Sequence, residues 1–198
     1  MRVTVACIII ATERRREQVE NDIVPNIWRQ DFDDVVIVGD WESPKHNGIA
    51  YRYFCVAPLT RTTTDALVKR DVGTLATTAD LLVYLTDDHR LRLGFAKALR
   101  EVAAEPWDVI VPKRYTRKTE GSALIPLNNG EHGKYCGGHA GVFRRAVVAR
   151  KPWSAHAHHR NWDVITSGEQ IARGARFVWN PREELSIIDL EPQAEPWR

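Results

Sequence analysis

The feature that most restricts this chain is a set of apolar stretches that run without alternation and then stop at polar or acidic residues. Val3 to Ala11 is β-branched and apolar almost throughout and ends at Thr12-Glu13. Asp34-Val35-Val36-Ile37-Val38-Gly39-Asp40 ends in a carboxylate, and Leu81 to Leu85 runs into Thr86-Asp87-Asp88-His89. A strand with one wet face alternates, whereas a continuous apolar strand is covered on both faces. Helix-compatible stretches lie between them. One runs from Glu13 to about Gln30, interrupted by Pro25. The other runs from Thr62 to Thr78, with Thr62 to Thr64 as caps and Ala66, Leu67, Val68, Val72, Leu75 and Ala76 as an apolar stripe. Tyr51 to Val56 reads as a further, flatter strand. This order predicts an α/β fold, a mostly parallel central sheet with helices on both faces. Ligands of such sheets gather beyond the carboxyl ends of the strands, where Thr12, Glu13, Asp40, Asp87 and Asp88 converge.

The remainder is less regular. Leu91 to Ala104 reads as a helix and Trp107 to Val111 as a strand. Pro112 to Tyr135 is rich in Lys, Arg, Gly, Asn and Thr around Ala123-Leu124-Ile125, which suggests a hairpin or a long loop over a site. Gly137-Gly138-His139-Ala140-Gly141-Val142-Phe143 leads into a short strand. Asn161 to Ala172 reads as a helix, and Arg176 to Trp179 and Ser186 to Leu190 as strands. With 43% hydrophobic residues, residues 1–190 suffice for one domain, regular over residues 1–111 and smaller and irregular over residues 112–190, with residues 191–198 as a tail.

Several classes are disfavoured. No apolar run approaches the roughly 20 residues of a membrane-spanning helix, and Val3 to Ala11 lacks the basic flank of a signal peptide. The three cysteines are scattered without C-x-x-C spacing, which argues against a disulfide framework and for a reducing, cytoplasmic setting. A net charge of +2 does not by itself imply nucleic acid. The clusters Lys113, Arg114, Arg117, Lys118 and Arg144, Arg145, Arg150, Lys151 read either as solvated faces or as surfaces for an anionic partner. Neither a P-loop nor a G-x-S-x-G elbow is present.

The chemistry concentrates in Asp87-Asp88. Adjacent carboxylates at the end of a buried strand repel, and a divalent cation carrying diphosphate oxygens relieves that repulsion, with magnesium or manganese suited to hard oxygen ligands. The same pair would equally cap a helix starting near Leu91. His89 is either a further metal ligand or a polar turn residue. His156-Ala157-His158-His159 resembles a metal cluster, yet Arg160 stands where a metallo-hydrolase pattern needs Asp.

Taken in order, Ile8-Ile9-Ile10-Ala11-Thr12-Glu13, Val36-Ile37-Val38-Gly39-Asp40, Lys69-Arg70-Asp71-Val72-Gly73 and Leu85-Thr86-Asp87-Asp88 resemble the family 2 glycosyltransferases of the GT-A fold. The resemblance spans residues 3 to 190 and implies a nucleotide-binding half, residues 1–111, and an acceptor and catalytic half, residues 112–190. It implies a nucleoside diphosphate sugar donor, UDP-linked, and a manganese or magnesium cofactor. Thr12 and Glu13 would flank the nucleobase, Asp40 would bind base or ribose, and Arg70 would reach base or phosphate. Gly73 would let its helix pack beneath the nucleotide, Asp87 would lie near the ribose, Asp88 would be the principal metal ligand, and Gly138 would pass under the donor sugar. Asp163 matches the family's general base in place, although an aspartate in a first helical turn also needs no other role. Trp162, Lys113, Arg114 and His158 would shape the acceptor side, for a saccharide, a lipid-linked sugar or a hydroxymethylated DNA base. A metal-dependent hydrolase or nucleotidyltransferase, or a non-catalytic nucleotide-sugar binder, are the alternatives on the same residues.

Overall fold

A computed structural model describes residues 2–42, 51–58, 62–116, 123–126, 140–157, 161–179 and 182–190. Its centre is a seven-stranded sheet in the order β10-β6-β9-β4-β1-β2-β3. The strands are β1 (Val5–Ile10), β2 (Asp34–Gly39), β3 (Arg52–Cys55), β4 (Leu81–Thr86), β6 (Val109–Val111), β9 (Ala140–Arg144) and β10 (Phe177–Trp179). Neighbours are parallel except at β9, which runs antiparallel to both β4 and β6. A four-stranded sheet, β5-β11-β7-β8, consists of β5 (His89–Leu91), β7 (Lys113–Thr116), β8 (Ile125–Pro126) and β11 (Ser186–Asp189). The mostly parallel α/β architecture expected from the apolar runs is the one observed.

Successive side chains of a strand point to opposite faces, and β1 divides the core accordingly. Val5, Cys7 and Ile9 pack with Val19, Ile23, Val24, Ile27, Phe95 and Leu99. Ala6, Ile8 and Ile10 pack with Leu67, Tyr84 and Trp153 on the other face. Each face is thus sealed by helices, which is why β1 carries no polar residue. Among the described residues no helix is long and apolar enough to cross a membrane.

Three elements differ from expectation. The stretch after β1 is assembled from a 3-10 turn (Glu13–Arg15), α1 (Arg16–Gln18), a π turn (Val19–Ile23) and α2 (Val24–Trp28). Pro25 lies in the first turn of α2, where a missing N–H is tolerated. The helix expected from Leu91 begins later, because His89 to Leu91 pair with Asp189 to Ile187. Gly94 then turns the chain at φ +86°, and α4 occupies Phe95–Glu101.

The third difference concerns α3 (Thr62–Ala76): of its apolar stripe Leu67 is buried and Ala66, Val72 and Ala76 pack partly against the core, but Leu75 faces out and charged residues share the inward face. Leu75 is 85% exposed, whereas Asp65, Leu67, Lys69, Arg70 and Thr74 are buried. The charged residues go inward because each finds a partner there, as described below. Gly73 lies on the same face, and a Cβ at that position would stand 2.3 Å from Ile8 Cγ2. Its lack of a side chain sets the distance between α3 and β1. Gly73→Ala should therefore cost about 1–3 kcal/mol through overpacking, read as a lower urea midpoint with an unchanged slope. Combined with Ile8→Ala it should cost less than the sum of the single changes. Additive costs would show that the contact does not limit the packing.

Candidate active site at the carboxyl edge of the sheet

The loops after β1, β2 and β4 meet at one edge. Asp87, which is buried, accepts hydrogen bonds from the Thr12 backbone N–H and from Thr12 Oγ1, both at 2.7 Å. Asp40 Oδ1 accepts the Glu13 N–H at 2.5 Å. Thr12, Glu13, Asp40, Asp87 and Asp88, separated by up to 76 residues in sequence, are thereby brought together. Asp87 and Asp88 cap no helix, since the turn leads into β5.

Lys69 organises this edge. Its side chain has 0% exposure, and Nζ lies 2.9 Å from the Ala11 carbonyl, 3.1 Å from Asp40 Oδ2 and 2.6 Å from Asp65 Oδ2. A buried ammonium is tolerable only when paired and hydrogen-bonded. The ends of β1 and β2 are thus tied to α3 by one cation. The spacing Asp65 to Lys69 is a helical i,i+4 pair, which was the available sequence signal for this clamp.

The two adjacent carboxyls live in opposite environments. Burial pushes Asp87 above the usual carboxylate range, and the Thr12 hydrogen bonds and Arg15 only partly oppose it. Burial pushes Asp88 upward too, but hydrogen bonding and charge from His89, together with Thr86 and Arg15, reverse this and hold it well below that range. Asp88 Oδ1 lies 2.5 Å from His89 Nδ1 and accepts from Thr86 Oγ1 at 2.6 Å. Arg15 Nε is 3.7 Å from Asp87 Oδ1, and its Nη1 is 3.9 Å from Asp88 Oδ2.

His89 differs from the expected ligand role. It is 1% exposed, and its Nε2 lies 2.8 Å from Asp189 Oδ1. Burial lowers its pKa, but Asp189 and Asp88 outweigh burial and the net shift is upward. Each ring nitrogen of His89 thus faces a carboxylate. Asp189 in turn receives Arg114 Nη2 at 2.8 Å and Nε at 3.4 Å. Arg114 is therefore committed to Asp189. Lys113 lies over the Tyr115 ring at 5.1 Å, with Glu183 at 3.9 Å.

Arg70, expected to reach base or phosphate, lies among aromatic rings. It is 2% exposed, and its guanidinium faces the rings of Tyr84, Trp162 and Trp153 at 5.0, 5.2 and 5.3 Å. Asp71 accepts the N–H groups of Trp153 and Ser154 at 2.6 and 2.9 Å, capping the 3-10 turn Trp153–His156. Trp162 packs edge-on against Trp153 at 6.0 Å and opens α6 (Trp162–Ala172). Asp163, in that first turn, accepts the Val164 N–H at 2.9 Å. Stacking of Arg70 on Trp162 ties the start of α6 to α3. His156 is buried 3.7 Å from Glu169 Oε2. Gly138, His158, Arg117 and Lys118 lie outside the described residues. Tyr84, Arg15 and Asp189 escaped the sequence reading, because cation-π and long-range ion pairs leave no local periodicity.

No group of three or more His, Cys, Asp or Glu among the described residues is arranged to hold a metal ion. The donor set suits a different arrangement. Asp88 is kept ionised, its side chain is 30% exposed, and its Oδ2 has Arg15 only at 3.9 Å. A hard cation that keeps its waters and arrives with phosphate oxygens needs just one or two such protein oxygens.

The clamp makes a direct prediction. Lys69→Met leaves the buried Asp65 and the half-buried Asp40 without their cation and should cost about 3–5 kcal/mol in chemical denaturation. A loss below about 1 kcal/mol would mean that the strand ends hold their positions without it.

No protein-family model matches the chain, and no curated protein matches it. Solved structures do. A mannosyltransferase from Pyrobaculum calidifontis, PcManGT, in complex with GDP-Man and Mn2+, superposes with a TM-score of 0.65 at 13% identity, over 96% of this chain and 57% of that one. S. aureus TarS 1-349 in complex with UDP-GlcNAc gives 0.65 at 12% identity, over 98% of this chain and 60% of that one. The chain thus spans less than two thirds of the length of these relatives in shape. Its fold is the GT-A-like fold of these glycosyltransferases.

Proposed function

We propose that the chain is a family 2-like, metal-dependent glycosyltransferase that moves a sugar from a nucleoside diphosphate sugar, UDP-linked, to an acceptor hydroxyl with inversion. The observation that carries this reading is the split carboxylate pair at the carboxyl edge of a GT-A-like sheet. One member, Asp87, fixes the loop after β1 through Thr12, and the other, Asp88, is held as a partly exposed anion. The named complexes of PcManGT with GDP-Man and Mn2+ and of TarS with UDP-GlcNAc support the donor class.

The donor would lie over Thr12, Glu13 and Asp40. Each Asp40 oxygen has one partner, Glu13 N–H or Lys69, and a second lone pair for a ribose hydroxyl or base N–H. Asp88 would hold a manganese or magnesium ion, which when bound supplies positive charge against the departing diphosphate. Arg15 places a guanidinium at the same edge. The acceptor oxygen forms a bond to the anomeric carbon as the bond from that carbon to the diphosphate oxygen breaks, and the hydroxyl proton passes to Asp163. The pairing of Arg114 with Asp189 favours an uncharged saccharide acceptor over a polyanionic one.

Asp88→Asn keeps the shape and loses the charge, so calorimetry should show that manganese no longer strengthens UDP binding. Unchanged manganese-dependent affinity would remove Asp88 as the ligand. Asp163→Asn should bind donor normally, melt normally and lose about 10²–10⁴ in kcat. Near-normal turnover with a lowered melting temperature would make Asp163 a helix residue. Loss of donor binding would place it in the nucleotide site.

A further inference from the structure

A cavity of about 500 Å³ opens at the opposite end of the sheet, where β2 begins. Because β2 is six residues long and a strand rises about 3.3 Å per residue, this cavity stands roughly 20 Å from the acidic edge. Trp28, Phe32 and Tyr51 supply its aromatic wall. Trp28 is 53% exposed, although a large aromatic at the end of α2 would ordinarily be folded inward. Asp31, Asp33, Asp34 and Arg52 supply its polar wall.

The charges of that wall compensate one another. Arg52 grips Asp34 through two donors, with Nε at 3.2 Å from Oδ1 and Nη2 on Oδ2. Asp33 receives Arg2 Nη2 and Arg100 Nη2, each at 2.9 Å, and the Val5 N–H at 2.8 Å. Arg100 also lies 3.6 Å from Asp31 Oδ2 and donates to the Asp31 carbonyl at 2.6 Å. An anion would find each guanidinium already engaged, and among the carboxylates only Asp31, 89% exposed and 3.6 Å from Arg100, is loosely held. A neutral molecule with many hydroxyls fits better, because a hydroxyl donates to a carboxylate and accepts from a guanidinium at once. An aromatic face beside such groups covers the apolar C–H face of a sugar ring, and the volume falls in the range of small-molecule sites.

We infer that this cavity is a second, non-catalytic binding site for a neutral saccharide, with Trp28 as its stacking platform and the Asp34–Arg52 pair as its polar contact. The site stands apart from the carboxylate edge and exists whether or not that edge transfers sugar.

The test uses the full chain and neutral gluco-, galacto- and manno-oligosaccharides, followed by saturation-transfer NMR and calorimetry. At least one should bind wild type, and Trp28→Ala and Asp34→Asn should each weaken it by roughly tenfold or more. Because Trp28 is half-exposed, Trp28→Ala should leave the melting temperature and UDP affinity unchanged, which separates this site from the donor site. Binding should also persist in Asp88→Asn, so failure of the transferase reading would leave it standing. The inference is overturned if no oligosaccharide binds, if binding is indifferent to Trp28, or if uridine competes at Trp28 as well as the sugar does.

Discussion

The carboxyl edge of this fold depends on a single buried ammonium. Lys69 is wholly enclosed and holds the Ala11 carbonyl, Asp40 and Asp65 together. Without it, two carboxylates and a strand-end carbonyl would face one another in a desolvated corner, at a cost that neighbouring apolar packing does not offset. The adjacent residues extend the same logic around the helix. Arg70 enters an aromatic cage, Asp71 caps the turn at Trp153, and Gly73 admits Ile8. One helical turn therefore fixes β1, β2 and the approach to α6, and with them the position of Thr12, Asp40 and Trp162.

The second organising principle is the unequal treatment of neighbouring carboxyls. Asp87 is spent on structure, since its hydrogen bonds to Thr12 close the loop over the sheet edge. Asp88 is kept negative by a line of alternating charge, Asp88–His89–Asp189–Arg114, that runs from the central sheet into the smaller one. The smaller sheet is thus more than a cover. Its β5 and β11 carry the groups that orient Asp88, and its β7 anchors the far end of the line through Arg114.

Much of this was legible in the residues. Continuous apolar runs identified the buried strands, and their acidic ends identified the edge, because burial on two faces and solvation at a strand end leave plain compositional marks. The face of α3 was read in part. Apolar periodicity found Leu67, which is buried, but also pointed to Leu75, which is exposed, and it did not show that the inward face carries charges. The ion pairs of His89 and Arg114 were not legible for the same reason. A histidine beside two aspartates suggests a ligand, and an arginine beside a lysine suggests a basic surface, until Asp189, some 75 residues beyond Arg114, takes a place between them. Pairing at long sequence separation leaves no local pattern to read.

The central claim is that the carboxyl edge binds a nucleoside diphosphate sugar together with a divalent cation. Its most direct measurement is thermal unfolding of the intact chain against a panel of UDP- and GDP-linked sugars, each with manganese and with a chelator. A ligand that binds the native state must raise its stability by linkage. At least one nucleotide sugar should raise the melting temperature with manganese and lose most of that effect with the chelator. If none raises it under either condition, the edge is not a nucleotide-sugar site; if one raises it equally under both, the cation has no part in binding.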